Sequence, residues 1–165
     1  TLNPTIEDDF IDRDLTIVDY VSEIIKSFRE TSKKEFIFNF DQYSNPFNIT
    51  KSIDIVYGLR NFIGNANKFS KSKVFINVKS DNNITEIIIE DDGEGYPSDV
   101  LRKIGEPYIT SFKSSIKSKS GLGLGIFIGK TLLEKNYANI LCRNSKTRGG
   151  AEVNIRWKNL DLLRL

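Results

Sequence analysis

The sequence predicts an α/β domain. Three segments place apolar residues at helical spacing, five short segments alternate or run apolar as strands do, and 165 residues are enough for one core but not for two. Residues 1–14, with Pro4 and five acidic side chains, read as a linker from an upstream domain, so the folded unit is expected over 15–160. The first helix begins at Thr16, where Ile17, Val18, Val21, Ile24, Ile25 and Phe28 form one apolar stripe. Thr16 and Asp19 have the spacing of a capping box with Asp in place of Glu. Phe36–Phe40 is an aromatic-rich strand, residues 41–50 carry turn chemistry, and a second helix runs from about 51 to 69. Lys73–Lys79 and Ile84–Glu90 form a hairpin around Asp81-Asn82-Asn83. A loop follows over 93–120, with a short helix after Pro97. Its Ser/Lys stretch at 111–120 has little to bury, so a flexible lid is expected at about 96–120. The third helix spans about 123–135, and a strand pair, Asn139–Arg143 and Glu152–Trp157, closes the chain around Arg148-Gly149-Gly150.

Composition excludes several classes. With 24 basic and 22 acidic residues, the charge balance does not suggest a nucleic-acid binder. No apolar run reaches the roughly 18–20 residues of a membrane span, and no signal-peptide pattern opens the chain. The single cysteine, Cys142, cannot form an internal disulfide and is expected in the core. The chain lacks Met, which fits a fragment or a removed initiator, and it lacks His, which limits what it can do alone.

Three motifs carry chemistry. On the second helix Asn61, Asn65 and Lys68 fall within about 60° of one another, with Gly58 alongside and Val56, Leu59, Ile63 and Ala66 opposite. Two carboxamides on one stripe face a ligand or water, because burying them without partners is costly. An amide oxygen suits Mg²⁺, which takes its other ligands from water and phosphate. A solvated Asn/Lys face is the alternative. Asp91-Asp-Gly93-Glu-Gly95 follows an apolar strand, so a strand-end carboxylate can accept from a base amine while the glycines let the backbone come close. A plain Asp-Gly turn is the alternative there. Gly121-Leu122-Gly123-Leu124-Gly125 opens a helix, whose free N–H groups and positive dipole end suit phosphate. It has neither the Walker A nor the Rossmann spacing.

Taken together, these motifs closely resemble the catalytic and ATP-binding domain of bacterial sensor histidine kinases, in the gyrase, Hsp90, histidine kinase and MutL superfamily. Asn61–Phe69 is similar to the N box, Asp91–Gly95 to the G1 box, Glu106-Pro107-Tyr108 to the F box with Tyr for Phe, and Gly121–Gly125 to the G2 box. The resemblance covers about residues 15 to 157 and is greatest to the RegB/PrrB redox-responsive group. It implies an α/β two-layer sandwich of the Bergerat type, a mixed sheet of about five strands covered on one face by three helices.

It also implies a protein-histidine kinase domain using ATP and Mg²⁺. Asn65 would be the metal ligand, with Asn61 and Lys68 contacting phosphate, Phe69 and Tyr108 near the nucleotide, and Asp91 on the adenine amine. Gly93, Gly95, Gly121, Leu122, Gly123, Leu124 and Gly125 would shape pocket and lid, with Lys113, and more loosely Lys117 and Lys119, reaching phosphate. Ala151 stands where relatives often have Thr. The implied partners are an upstream histidine-containing dimerisation domain, homodimeric in the full protein, and a response-regulator receiver domain, with no direct nucleic acid. The implied location is cytoplasmic, in a protein that can be anchored in the inner membrane. The alternative is a clamp-type ATPase or regulatory protein kinase of the superfamily. Those relatives carry Glu four residues before the metal-binding Asn, where this chain has Asn61, and an amide cannot take a proton from water.

Overall fold

The computed structural model describes residues 15–41, 48–49, 52–104 and 122–165. The linker expected at 1–14, the greater part of the 96–120 lid, and Tyr108, Lys113, Lys117, Lys119 and Gly121 lie outside them. The described elements, in chain order, are β1 (Leu15–Thr16), α1 (Ile17–Thr31), β2 (Glu35–Phe40), β3 (Asn48–Ile49), α2 (Ile53–Phe69), β4 (Lys73–Ser80) and β5 (Ile84–Asp91). They continue with α3 (Ser98–Ile104), α4 (Leu122–Lys135), β6 (Asn139–Asn144), β7 (Ala151–Lys158) and α5 (Asn159–Leu162).

Five strands form one mixed sheet in the order β2-β4-β5-β7-β6. Only β2 and β4 run parallel, and the remaining neighbours are antiparallel. Period-2 alternation sends Val74, Ile76, Val78, Ile87, Ile89, Val153, Ile155 and Trp157 to one face, where all are buried. The helices cover that face, giving the expected two layers. Two further residues of the predicted turn at 41–50 do pair: Asn48 and Ile49 lie antiparallel to Thr16 and Leu15.

Local chemistry sets the element ends. Both halves of the Thr16/Asp19 capping box are formed, each bond at 3.1 Å. Ser52 caps α2 through the N–H of Ile55. At the β4–β5 turn Asp81 accepts from the N–H groups of Asn83 and Ile84. At the β6–β7 turn Gly149 takes a φ of +90°, which favours glycine. Trp157, fully buried, donates its indole N–H to the Asn136 carbonyl at 3.0 Å and so ties the last strand to the end of α4.

The seam between α2 and α4 is the closest packing in the helical layer. The two helices run antiparallel: a Cβ at Gly58 would lie 2.6 Å from Leu133 Cγ, one at Gly129 2.8 Å from the Phe62 ring, and one at Gly125 2.8 Å from Asn65 Oδ1. Gly58 is therefore not on an open polar face as the helical projection suggested. It is buried against α4, because backbone contact there needs a residue without a side chain.

Two glycines of α2 should respond oppositely to alanine. Gly64 faces only the Phe28 ring edge, at 3.5 Å from an added Cβ, so Gly64→Ala should stabilise by about 0.5–1 kcal/mol through helix propensity. Gly58→Ala meets the buried Leu133 and should destabilise by about 1–3 kcal/mol. Urea unfolding of both variants measures the contrast; equal shifts of one sign would contradict the seam.

Candidate nucleotide site

A cavity opens between α2 and the β5–β7 part of the sheet, lined by Phe62, Asn65, Ala66 and Phe69 of α2, Ile89 and Asp91 of β5, Gly95 and Tyr96 after it, and Ala151 and Val153 of β7. Its walls are apolar and flat, suited to a planar ring, and its polar groups are few and fixed.

Asp91 ends β5 and is 3 % exposed. Its Oδ1 accepts from the N–H groups of Gly93 at 2.8 Å and Ala151 at 3.3 Å, while its backbone carbonyl accepts from Gly150 N–H at 3.1 Å. Both side-chain bonds fall on one oxygen, leaving Oδ2 with acceptor capacity beside the cavity. Burial raises its pKa above the ordinary carboxylate range, with the two N–H groups opposing and the neighbouring Asp92 charge adding to the rise. A Cβ at Gly93 would lie 2.1 Å from the Phe69 carbonyl oxygen, and one at Gly150 2.0 Å from Asp91 Oδ1. The glycines thus let the turn close directly onto α2 and onto the carboxylate.

Asn65 lines the same cavity under Gly125, in the first turn of α4. Its Nδ2 is buried with no hydrogen-bond partner among the described residues. An unpartnered amide N–H₂ at a cavity wall calls for an acceptor. The described residues contain no group of three or more His, Cys, Asp or Glu able to hold a metal by themselves. A neutral amide oxygen nonetheless fits Mg²⁺ carried in on a triphosphate, where phosphates and water supply the remaining ligands.

Asn61 and Lys68 are not brought into the cavity. Asn61, one turn earlier, donates its amide to the carbonyl of Tyr57 at 2.8 Å. Lys68 is exposed, with its ammonium 5.2 Å from the centroid of the Phe69 ring. Gly123, Leu124 and Gly125 lie in the first turn of α4 with Leu122 at its start. Phe69 and Gly95 line the cavity, and Gly95 has a φ of +85°.

Four supporting residues escaped the sequence reading. Asp92 accepts from the N–H groups of Lys71, Ser72 and Lys73 and from the Ser72 hydroxyl, fastening the α2–β4 connection. Asn144 of β6 bonds both backbone groups of Tyr96. Ser32 donates to the Asn67 side chain at 2.5 Å, and Lys34 bonds the Ser70 carbonyl, so the α1–β2 turn anchors the end of α2. The Asp-Asp pair was a usable signal for Asp92; nothing local marks the others. Cys142, expected in the core, is partly buried against it. Burial pushes its thiol up to about 12.

Comparison with known proteins gives the family and the fold. The family model for histidine kinase-, DNA gyrase B-, and HSP90-like ATPases matches residues 50–161. The sensor histidine kinase RegB of Cereibacter sphaeroides is 35% identical over 125 residues, covering 66% of this chain and 27% of RegB. A putative sensor histidine kinase of NtrY-like type from Rickettsia bellii is 26% identical over 151 residues, 88% of this chain and 23% of its own length. The chain thus spans about a quarter of these relatives. Among solved structures, the catalytic domain of histidine kinase ThkA superposes with a TM-score of 0.70 at 18% identity, covering 89% of this chain and 95% of that one. The mycobacterial sensor histidine kinase MprB gives 0.67 at 19%, covering 88% and 97%.

Asp92 has its own acid signature. Partial burial opposes its charge, but the N–H groups of Ser72 and Lys73, the Ser72 hydroxyl and the Lys71 N–H hold its pKa down at about 2. A depressed carboxylate stabilises the fold above its unfolded pKa and loses that contribution as pH falls through its folded one. Asp92→Asn should therefore be less stable than the parent at neutral pH, with the gap closing between about pH 4 and pH 2. Urea titrations across that window check it; a gap independent of pH would show that the charge is not what matters.

Proposed function

The chain belongs to the histidine kinase-, DNA gyrase B-, and HSP90-like ATPase family, as the ATP-binding catalytic domain of a sensor histidine kinase, and on that premise we propose how its residues serve phosphoryl transfer. Adenine lies in the cavity with its exocyclic amine donating to Asp91 Oδ2, against Phe62, Ala66, Phe69, Ile89 and Val153. Asn65 is the protein ligand of Mg²⁺, and Asn61 and Lys68 contact phosphate at the cavity mouth. Leu122, Gly123, Leu124 and Gly125 shape the phosphate end, with Gly121, Tyr108 and Lys113 assigned to the lid on the resemblance alone. The bound metal ion would neutralise charge on the phosphates. The observation that carries this reading is the unpartnered Asn65 Nδ2, a donor suited to a phosphate oxygen, sharing one cavity with a buried, half-satisfied carboxylate.

Transfer of the γ-phosphoryl group asks mainly for positioning and charge neutralisation. The chain has no His, so the acceptor is proposed to be a histidine on a separate dimerisation domain, with a response-regulator receiver domain taking the phosphoryl group next. The amide at position 61 supports transfer to an imidazole, which brings its own nucleophilic lone pair, over attack by water. No helix among the described residues is long and apolar enough to cross a membrane. On the likeness to sensor histidine kinases, we assign the domain to the cytoplasmic side of a protein whose other segments can anchor it in the inner membrane.

Two measurements test this. ADP affinity should fall on acidification at a pH above the ordinary carboxylate range, because burial raises the Asp91 pKa and a protonated Oδ2 presents a donor to the adenine amine. Asp91→Asn should bind ADP about tenfold or more weakly at neutral pH, with the acid limb gone; equal competition by GTP and ATP on the parent would remove Asp91 from this role.

Asn65→Ala and Asn65→Asp should leave the fold intact and slow phosphorylation of a supplied histidine-containing domain by about a hundredfold or more. Replacing the amide either deletes a metal ligand or adds charge beside the triphosphate. Near-parental transfer by either variant would defeat the metal role.

A further inference from the structure

Gly95 and Tyr96 form one wall of the cavity, yet the segment from Glu94 to Pro97 belongs to no helix or strand. A wall of this kind binds a flat base well only if something outside the segment holds it. That something is on the edge strand β6. Asn144 Oδ1 accepts from the Tyr96 N–H at 2.6 Å, and Asn144 Nδ2 donates to the Tyr96 carbonyl at 3.2 Å, so one carboxamide grips both backbone groups of a residue 48 positions away. Tyr96 is thereby held at its backbone, and it is 6 % exposed.

The fit is close enough to explain Gly95. At a φ of +85°, a Cβ on residue 95 would lie 2.7 Å from Asn144 Oδ1 and 3.0 Å from Asn144 Cγ. The carboxamide occupies the space a side chain would need. Asn144 itself is largely exposed on its strand, so core packing does not account for an asparagine there. An asparagine amide offers a donor and an acceptor side by side, which is what a peptide's N–H and C=O require.

We propose that Asn144 is a positioning residue for nucleotide binding, holding the Gly95-Tyr96 wall of the base pocket in its binding geometry. The proposal rests on the reading of this cavity as the adenine pocket. Pre-ordering a wall removes an entropy cost that binding would otherwise meet, so loss of the grip lowers affinity more than it lowers stability.

The test is ADP binding by calorimetry to the parent chain, Asn144→Ala and Asn144→Asp at neutral pH, with amide hydrogen exchange at Tyr96 followed in each. Asn144→Ala loses both bonds and should weaken ADP about tenfold, with faster exchange at Tyr96 and a melting temperature close to the parent's. Asn144→Asp keeps the acceptor for the shorter bond and should fall between, within about threefold of the parent. It also serves where the alanine variant folds poorly. Parental ADP affinity in both variants overturns the proposal while leaving the pocket assignment standing. If Asn144→Asp binds as weakly as Asn144→Ala, with unchanged exchange at Tyr96, the grip is not the cause and the proposal fails. A parent chain that does not bind ADP refutes the pocket assignment itself, and the inference falls with it.

Discussion

A carboxylate buried at the end of a strand must be met by donors, and the architecture around Asp91 follows from that demand. Leaving such a group unpaired in an apolar setting costs several kcal/mol, more than many whole side-chain contacts contribute. The donors come from two places far apart in the chain, the N–H of Gly93 just after the strand and the N–H of Ala151 at the start of β7. Both approaches need glycine, since a Cβ at 93 would strike the end of α2 and one at 150 would strike the carboxylate. The strand order that sets β7 beside β5, and the turn that delivers Gly150 to the Asp91 carbonyl, are therefore parts of one arrangement. The demand is met on one oxygen only. A carboxylate satisfied on both sides would be a structural pin; one satisfied on a single side is a receptor for a donor.

The proposed phosphate end rests on a different constraint, which is distance. Helices packed through ordinary side chains stand about 8–10 Å apart. Glycines 58, 125 and 129 let α2 and α4 approach more closely along their shared seam. That approach brings the first turn of α4 onto Asn65, so the positive end of one helix and the carboxamide of another face the same space. Neither feature alone would make an anion site. Gly125 makes their juxtaposition possible, because any side chain there would displace the Asn65 amide.

Much of this was legible in the sequence, and what was not has a common cause. The helices, the five strands and the capping box are local patterns, and periodicity finds them. The 3.6-residue projection put Asn61, Asn65, Lys68 and Gly58 on one stripe, but it could not say where that stripe turns from solvent to helix. In the fold the boundary runs through it: Gly58 and Asn65 face α4, Asn61 bonds its own helix, and Lys68 is exposed. Asn144 gripping Tyr96, Asp92 fastening Ser72, and Ser32 meeting Asn67 join residues 20 to 48 apart. A polar side chain that braces a distant backbone looks, in sequence, like any other surface Asn, Asp or Ser. The exception is instructive. Asp91 was recognisable because its glycines sit beside it in the chain, so the steric demand of the site is written locally even though half of its hydrogen bonding is not.

The two ends of the site also differ in how they treat charge, and this bears on the chemistry. At the proposed base end the carboxylate is buried. Toward the proposed phosphate end, α2 places the Asn65 amide in the cavity and carries the Asn61 amide and the exposed Lys68 ammonium outside it. An enzyme that activates water needs a base near the terminal phosphate, and a carboxylate there must ionise beside several negative charges. An enzyme that passes a phosphoryl group to an imidazole avoids that conflict, since the nucleophile arrives with a free lone pair and needs only to be aligned. Asn61 in place of a carboxylate is consistent with the second strategy: the helix face keeps its hydrogen-bonding capacity and adds no repulsion. On the proposed reading, attack on the phosphate is left to a histidine, which this chain does not contain.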